Sequence, residues 1–192
     1  MKQQVLIIHG GDSFEKYEDY LHFLKNFEIN LEKLSKNDWK DNLQKDLGKK
    51  FGVIYPQMPN KLNANYIEWK IWFEKILNLL EDNLILIGHS LGGIFLAKYL
   101  SEDDISKKIK AVILVSAPFD EKGSFKLSKL VLNLNNYKKI FLIHSKDDQV
   151  VSYGEVKKYK KILTKAKVIT FEDRGHFNQE EFSEIVELTK KI

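Results

Sequence analysis

Apolar positions along the chain recur with two different spacings. Short runs rich in Val, Ile and Leu occupy residues 4–8, 52–55, 84–88, 111–115, 139–143 and 167–171, bounded by polar or glycine-containing stretches. Uninterrupted apolar runs of this length predict strands buried on both faces, as in a parallel sheet. Between most of them the spacing turns helical: Trp69, Trp72, Phe73, Ile76 and Leu80 fall at i, i+3, i+4, i+7 and i+11 and predict a stripe packed on the core. Strands alternating with helices predict an α/β fold of three layers, with helices on both faces of the sheet. Residues 1–192 read as one domain, without internal repeat or inter-domain linker. The exception to short connections is a helical insertion at about 12–50, where Tyr17, Tyr20, Leu21, Leu24, Phe27, Leu31 and Leu34, then Trp39, Leu43 and Leu47, predict two helices, the second ending at Gly48. Because the insertion leaves the C-terminal edge of the first strand, its first residues are a candidate pocket wall.

Composition narrows the function classes. The 192 residues are 43% hydrophobic and 30% charged, which suits a globular protein with a real core. No apolar run approaches the roughly eighteen residues of a spanning helix, and the N-terminal apolar run reaches His9 and Gly10 too soon for a signal peptide. The expected location is therefore cytoplasmic, with no membrane partner. There is no cysteine, which removes disulfides, thiolate metal sites and thiol nucleophiles together. Of the 31 basic residues only Arg174 is an arginine, so the forked contacts that read bases are lacking. The densest basic stretch, Lys157, Lys158, Lys160 and Lys161, reads as the solvated face of an amphipathic helix, and no nucleic-acid partner is expected.

The chemistry concentrates where strands end. Gly88-His89-Ser90-Leu91-Gly92 follows the third strand and leads into a helical segment at 94–100, which is a Gly-x-Ser-x-Gly turn in a strand-turn-helix setting. Such a sharp turn lifts a serine hydroxyl above the sheet edge, needs small residues two before and two after it, and puts the helix N-terminus where negative charge develops. A serine hydroxyl needs a base and an orienting acid to become a nucleophile. Asp147 and Asp148 follow the fifth strand, Asp120 follows the fourth, and His176 follows the sixth. Of the five histidines only His176 lies beyond the last strand; His22 lies in the insertion, His9 and His144 cap strands, and the side chain of His89 should point away from the hydroxyl. Ser, Asp and His in that chain order match a Ser-Asp-His triad. Two backbone N–H groups are candidates for an oxyanion hole: that of Leu91, after the serine, and that of Gly11, with Asp12 as the alternative to Gly11.

These residues resemble the α/β-hydrolase superfamily, and within it the small, nearly capless serine hydrolases typified by retinoblastoma-binding protein nine. The resemblance runs through His9-Gly10, Tyr55-Pro56-Gln57-Met58-Pro59-Asn60, Trp69, the Ser90 turn, Ser116-Ala117-Pro118-Phe119, His144-Ser145-Lys146-Asp147-Asp148 and Gly175-His176-Phe177. The superfamily's His-Gly-x-x-Asp-x-x-Val pattern, laid on His144 to Val151, implies Asp148 as the triad acid, with Ser145 standing where the pattern has glycine. The resemblance further implies about six mostly parallel strands in the order 2-1-3-4-5-6, so that Gly11 and Ser90 meet where the strand order reverses. The segment 119–137 is too short for a large lid, and the site should be open.

The expected activity is that of a serine hydrolase acting on small or short-chain carboxylic esters through a Ser90 acyl-enzyme, without cofactor or metal. Its partner would be a small ester or other acyl substrate. The alternative is a protein-binding or regulatory member of the fold with little turnover; a protein partner enters only there.

Overall fold

The computed structural model describes residues 2–31 and 36–192. In chain order the elements are β1 (Gln3–Ile8), α1 (Tyr17–Asn26), α2 (Trp39–Leu47), β2 (Phe51–Ile54), α3 (Tyr66–Leu77), β3 (Leu84–His89), α4 (Leu91–Glu102), β4 (Ile109–Val115), two 3₁₀ turns (Gly123–Phe125 and Lys129–Asn136), β5 (Ile140–Ser145), α5 (Gly154–Ile162), β6 (Lys167–Phe171) and α6 (Ser183–Lys191). The strands form one sheet in the order β2-β1-β3-β4-β5-β6. All five neighbouring pairs run parallel.

Alternation along each strand explains the three layers. Leu6, Ile8, Leu84, Leu86, Val112, Leu114, Ile140 and Leu142 point to one face, where Trp69, Phe73 and Leu77 of α3, the apolar side of α4, and Val156 and Tyr159 of α5 cover them. Val5, Ile7, Ile85, Ile87, Ala111, Ile113, Phe141 and Ile143 point to the other, under Trp39, Leu43 and Leu47 of α2 and Ile185 of α6. Both faces of β3 are sealed, so all six of its residues are buried.

Two details depart from the spacing. Trp72 is 44% exposed, whereas Leu77 is buried, because the stripe on α3 follows i, i+4, i+8 through Trp69, Phe73 and Leu77 and leaves Trp72 at its margin. In the insertion, α2 buries Trp39, Leu43 and Leu47 and ends at Gly48, with φ of 80°. By contrast α1 buries none of its residues. Leu34 lies outside the described residues. No described helix is long and apolar enough to cross a membrane.

The reversal of strand order falls between β1 and β3, where the chain leaves β1 for β2 on one side and returns to β3 on the other. Open parallel sheets carry their sites at this crevice.

Candidate active site

Ser90 occupies the turn between β3 and α4 with φ of 54° and ψ of −123°. A non-glycine residue there costs on the order of 1–3 kcal/mol, which the surroundings must hold in place. They do so with three hydrogen bonds: the Ser90 N–H donates to Val115 O at 2.9 Å, and its carbonyl accepts from Gly93 N at 2.8 Å and Ile94 N at 3.3 Å. Glycine at 88 and 92 is required by close approach. A Cβ on Gly92 would lie 2.3 Å from Ile8 O, and one on Gly88 would lie 2.5 Å from Gly92 O. The turn is thus pressed against the end of β1, and a Cβ on Gly10 would lie 3.0 Å from Ser90 Cβ.

His176 sits in the loop after β6, and its Nδ1 lies 2.9 Å from Asp148 Oδ2 and 3.1 Å from Oδ1. An ionised carboxylate only accepts, so Nδ1 carries the proton and Nε2 keeps its lone pair. Asp148 has a fully buried side chain, and its Oδ1 also accepts from the N–H groups of Val150 and Val151, each at 2.9 Å. Of the three carboxylates considered from sequence, only Asp148 meets the imidazole. Asp120 pairs with Lys158 at 2.5 Å. Asp147 turns to Gly175 N and Ser145 Oγ. Ser90 Oγ and His176 share no hydrogen bond. His89, the residue before Ser90, has its ring centroid 4.9 Å from that of His176. A nucleophile–base hydrogen bond is often long or poorly aligned before substrate binds and tightens in the complex.

Ser90, Gly11 and Leu91 line one cavity of about 430 Å³. Leu91 opens α4, so its N–H has no intrahelical acceptor. The Gly10 carbonyl faces His9 Nδ1 at 2.6 Å, while His9 Nε2 accepts from Met58 N at 2.8 Å. Across a trans peptide the Gly11 N–H points opposite to that carbonyl. The Asp12 N–H is already bonded to Lys61 O at 2.8 Å, which leaves Gly11 as the better donor of the two.

A family model described as serine hydrolase matches residues 31–189. The chain belongs to the serine hydrolase family. The hydrolase is 27% identical to serine hydrolase RBBP9 of Rattus norvegicus over 74% of its own length and 78% of the relative's. It is 28% identical to putative hydrolase YdeN of Bacillus subtilis (strain 168), over 77% and 82% of the two chains. The solved structure of the ydeN gene product superposes with a TM-score of 0.76 at 21% identity, covering 99% of this chain and 98% of that one. The meta-cleavage product hydrolase of Pseudomonas fluorescens IP01 shares the fold at a TM-score of 0.64 and 16% identity, over 98% and 91% of the chains.

Several residues that support the site in the hydrolase escape a reading of local motifs. The His176 carbonyl accepts from His89 Nε2 at 2.8 Å, and the next carbonyl, of Phe177, accepts from Trp39 Nε1 at 2.9 Å. Ser145 Oγ donates to Asp147 Oδ1 at 2.5 Å and accepts from Arg174 N at 2.9 Å, while Gly175 N donates to the same Asp147 oxygen at 2.9 Å. The histidine loop is therefore held from β3, from α2 and from the end of β5. Lys40, buried beside Asp38, donates to His89 Nδ1 at 3.4 Å, leaving the Nε2 proton of His89 for the His176 carbonyl.

Electrostatics follow from these contacts. Burial alone would raise the pKa of Asp148, but the bonds from His176 and the Val151 N–H outweigh it and hold the carboxyl at about 2. The acid thus stays ionised beside the imidazole throughout the neutral range. Burial, reinforced by the Lys40 charge, pushes His89 well below the ordinary histidine value, so it is a neutral donor and not a competing base.

Proposed function

We propose that this hydrolase cleaves small or short-chain carboxylic esters through an acyl-enzyme on Ser90. The observation that carries the proposal is the strained Ser90 turn opening onto the cavity it shares with Gly11 and Leu91, with the Asp148–His176 pair at the same sheet edge. Ser90 Oγ attacks the ester carbonyl as its proton passes to His176 Nε2, and Asp148 stabilises the imidazolium through Nδ1–H. The oxyanion is received by the N–H groups of Leu91 and Gly11. Collapse breaks the bond to the alcohol, which takes the proton from Nε2. Water, deprotonated by the same nitrogen, then attacks the acyl-enzyme and releases the acid and free Ser90.

The test is turnover of p-nitrophenyl acetate and butyrate by the wild type and by Ser90→Ala. The wild type should show a burst followed by steady hydrolysis, and Ser90→Ala should lose both while keeping its unfolding midpoint, since the hydroxyl fills no core volume. Comparable turnover by the two proteins would refute the proposal.

A further inference from the structure

The helix α1 is anomalous: ten residues long, without a side-chain N-cap bond, and with no residue buried. A helix this short is marginal in water unless an apolar face is packed. Its apolar residues Leu21 and Leu24 stand exposed, as does Phe27 just after it, and Phe23 is only half-buried. What α1 does touch is an aromatic cluster. Phe23 lies 5.2 Å from Phe14 and 5.2 Å from Phe27 by ring centroid, and Phe14 lies 5.8 Å from Tyr20. Phe14 and Phe23 are also walls of the 430 Å³ cavity that contains Ser90.

We infer that Phe14 and Phe23 are specificity-determining residues, and that the cavity they wall beside Ser90 takes an uncharged, apolar acyl chain against those two rings. This rests on Ser90 being the nucleophile. The acyl rather than the alcohol side is assigned because the cavity includes Ser90 and the N–H candidates Gly11 and Leu91 but not His176, and the leaving group must lie by the nitrogen that protonates it. Apolar contact continues across the cavity through Pro118, Val150 and Val151. Charge narrows the class further. Asp12, Asp120, Glu121 and Glu155 line the same cavity, and Lys158 pairs with Asp120 and Glu155 from outside the lining. An acyl chain ending in a carboxylate would meet like charge there.

The test compares kcat/KM for p-nitrophenyl acetate, butyrate, hexanoate and monosuccinate, where the leaving group is constant, in the wild type, Phe23→Ala and Phe23→Leu. Each methylene buried in an apolar pocket is worth about fourfold, so across the four methylenes added from acetate to hexanoate the wild type should gain at least about tenfold. Monosuccinate should fall below butyrate. Phe23→Ala should flatten the chain-length slope and Phe23→Leu should keep most of it. A flat wild-type series, a preference for monosuccinate, or a slope in Phe23→Ala that is unchanged or steeper would overturn the inference. Ser90 modification by a fluorophosphonate is scored separately in the wild type: labelling with a flat series defeats only the acyl-chain assignment, whereas no labelling defeats the nucleophile on which it rests.

Discussion

Asp147 and Asp148 show how adjacent residues divide the work around one imidazole. Asp148 holds Nδ1 of His176, and Asp147 holds the backbone N–H of Gly175 just before it. Replacing Asp148 by Asn should lower kcat by about 10³–10⁴, because the amide can present its donor to Nδ1 and favour the wrong tautomer. Asp147→Asn keeps an oxygen that can accept from Gly175 and should cost little. Asp147→Ala frees the loop and should lower kcat by about tenfold with a smaller change in KM, as expected of a positioning group. Steady-state kinetics of the three variants on one ester would check the ranking, and equal effects of Asp148→Asn and Asp147→Asn would contradict it. The candidate residues Ser90 and His176 were legible in the sequence because each sits in a local pattern tied to a strand end, and Asp148 was separated from Asp147 by the resemblance. The clamp was not legible, because its bonds join Ser145 to Arg174 and Asp147 to Gly175, partners that only the pairing of β5 with β6 brings together. The serine that departs from the glycine of the superfamily pattern is itself part of that clamp.

At the scale of elements, the two helices of the insertion carry similar apolar periodicity and have opposite fates. In α2, Trp39 packs edge-on to Phe182, 5.5 Å between centroids, and reaches the Phe177 carbonyl beside the histidine. Its partner α1 reaches the cavity through Phe23 and leaves Leu21 and Leu24 exposed. Spacing locates an apolar face but not what covers it, and Trp72 of α3 makes the same point. The expectation that the first part of the insertion walls the pocket agrees with Phe14 and Phe23, while the role of the second part as a buttress for His176 had no sequence signal. Trp39→Phe keeps most of the ring volume but leaves the Phe177 carbonyl without its donor. It should cost about 1–3 kcal/mol in denaturant unfolding and lower kcat more than it raises KM. An unaltered unfolding midpoint with unaltered kcat would show that α2 does not support the loop.

Across the whole molecule, the alternation of Leu6 with Ile7, or Leu86 with Ile87, assigns each strand residue to one of the two cores and made the three-layer class readable. Strand ends shifted by one or two residues; β5 runs on through His144 and Ser145, so the carboxylates follow it more tightly than the apolar run suggests. The sheet order came from the resemblance, since spacing does not say which strands are neighbours. Global stability should carry the mark of the site in acid. Asp148 is held at about 2, below the ordinary value of 3.8, so its contribution is complete above pH about 4 and is lost as pH falls through about 2. The stability difference between wild type and Asp148→Asn should therefore shrink by about 2 kcal/mol in all, about half of it gone by pH 3. Denaturant unfolding at pH 6 and pH 3 would measure this, and a difference independent of pH would contradict it.

Whether Ser90 is the nucleophile is tested most directly by reacting the purified protein with a fluorophosphonate, measuring the adduct by intact mass, and mapping it by peptide sequencing. One adduct per chain is expected, on Ser90, formed far more slowly in His176→Ala. No adduct, or an adduct on a different serine, would contradict the assignment.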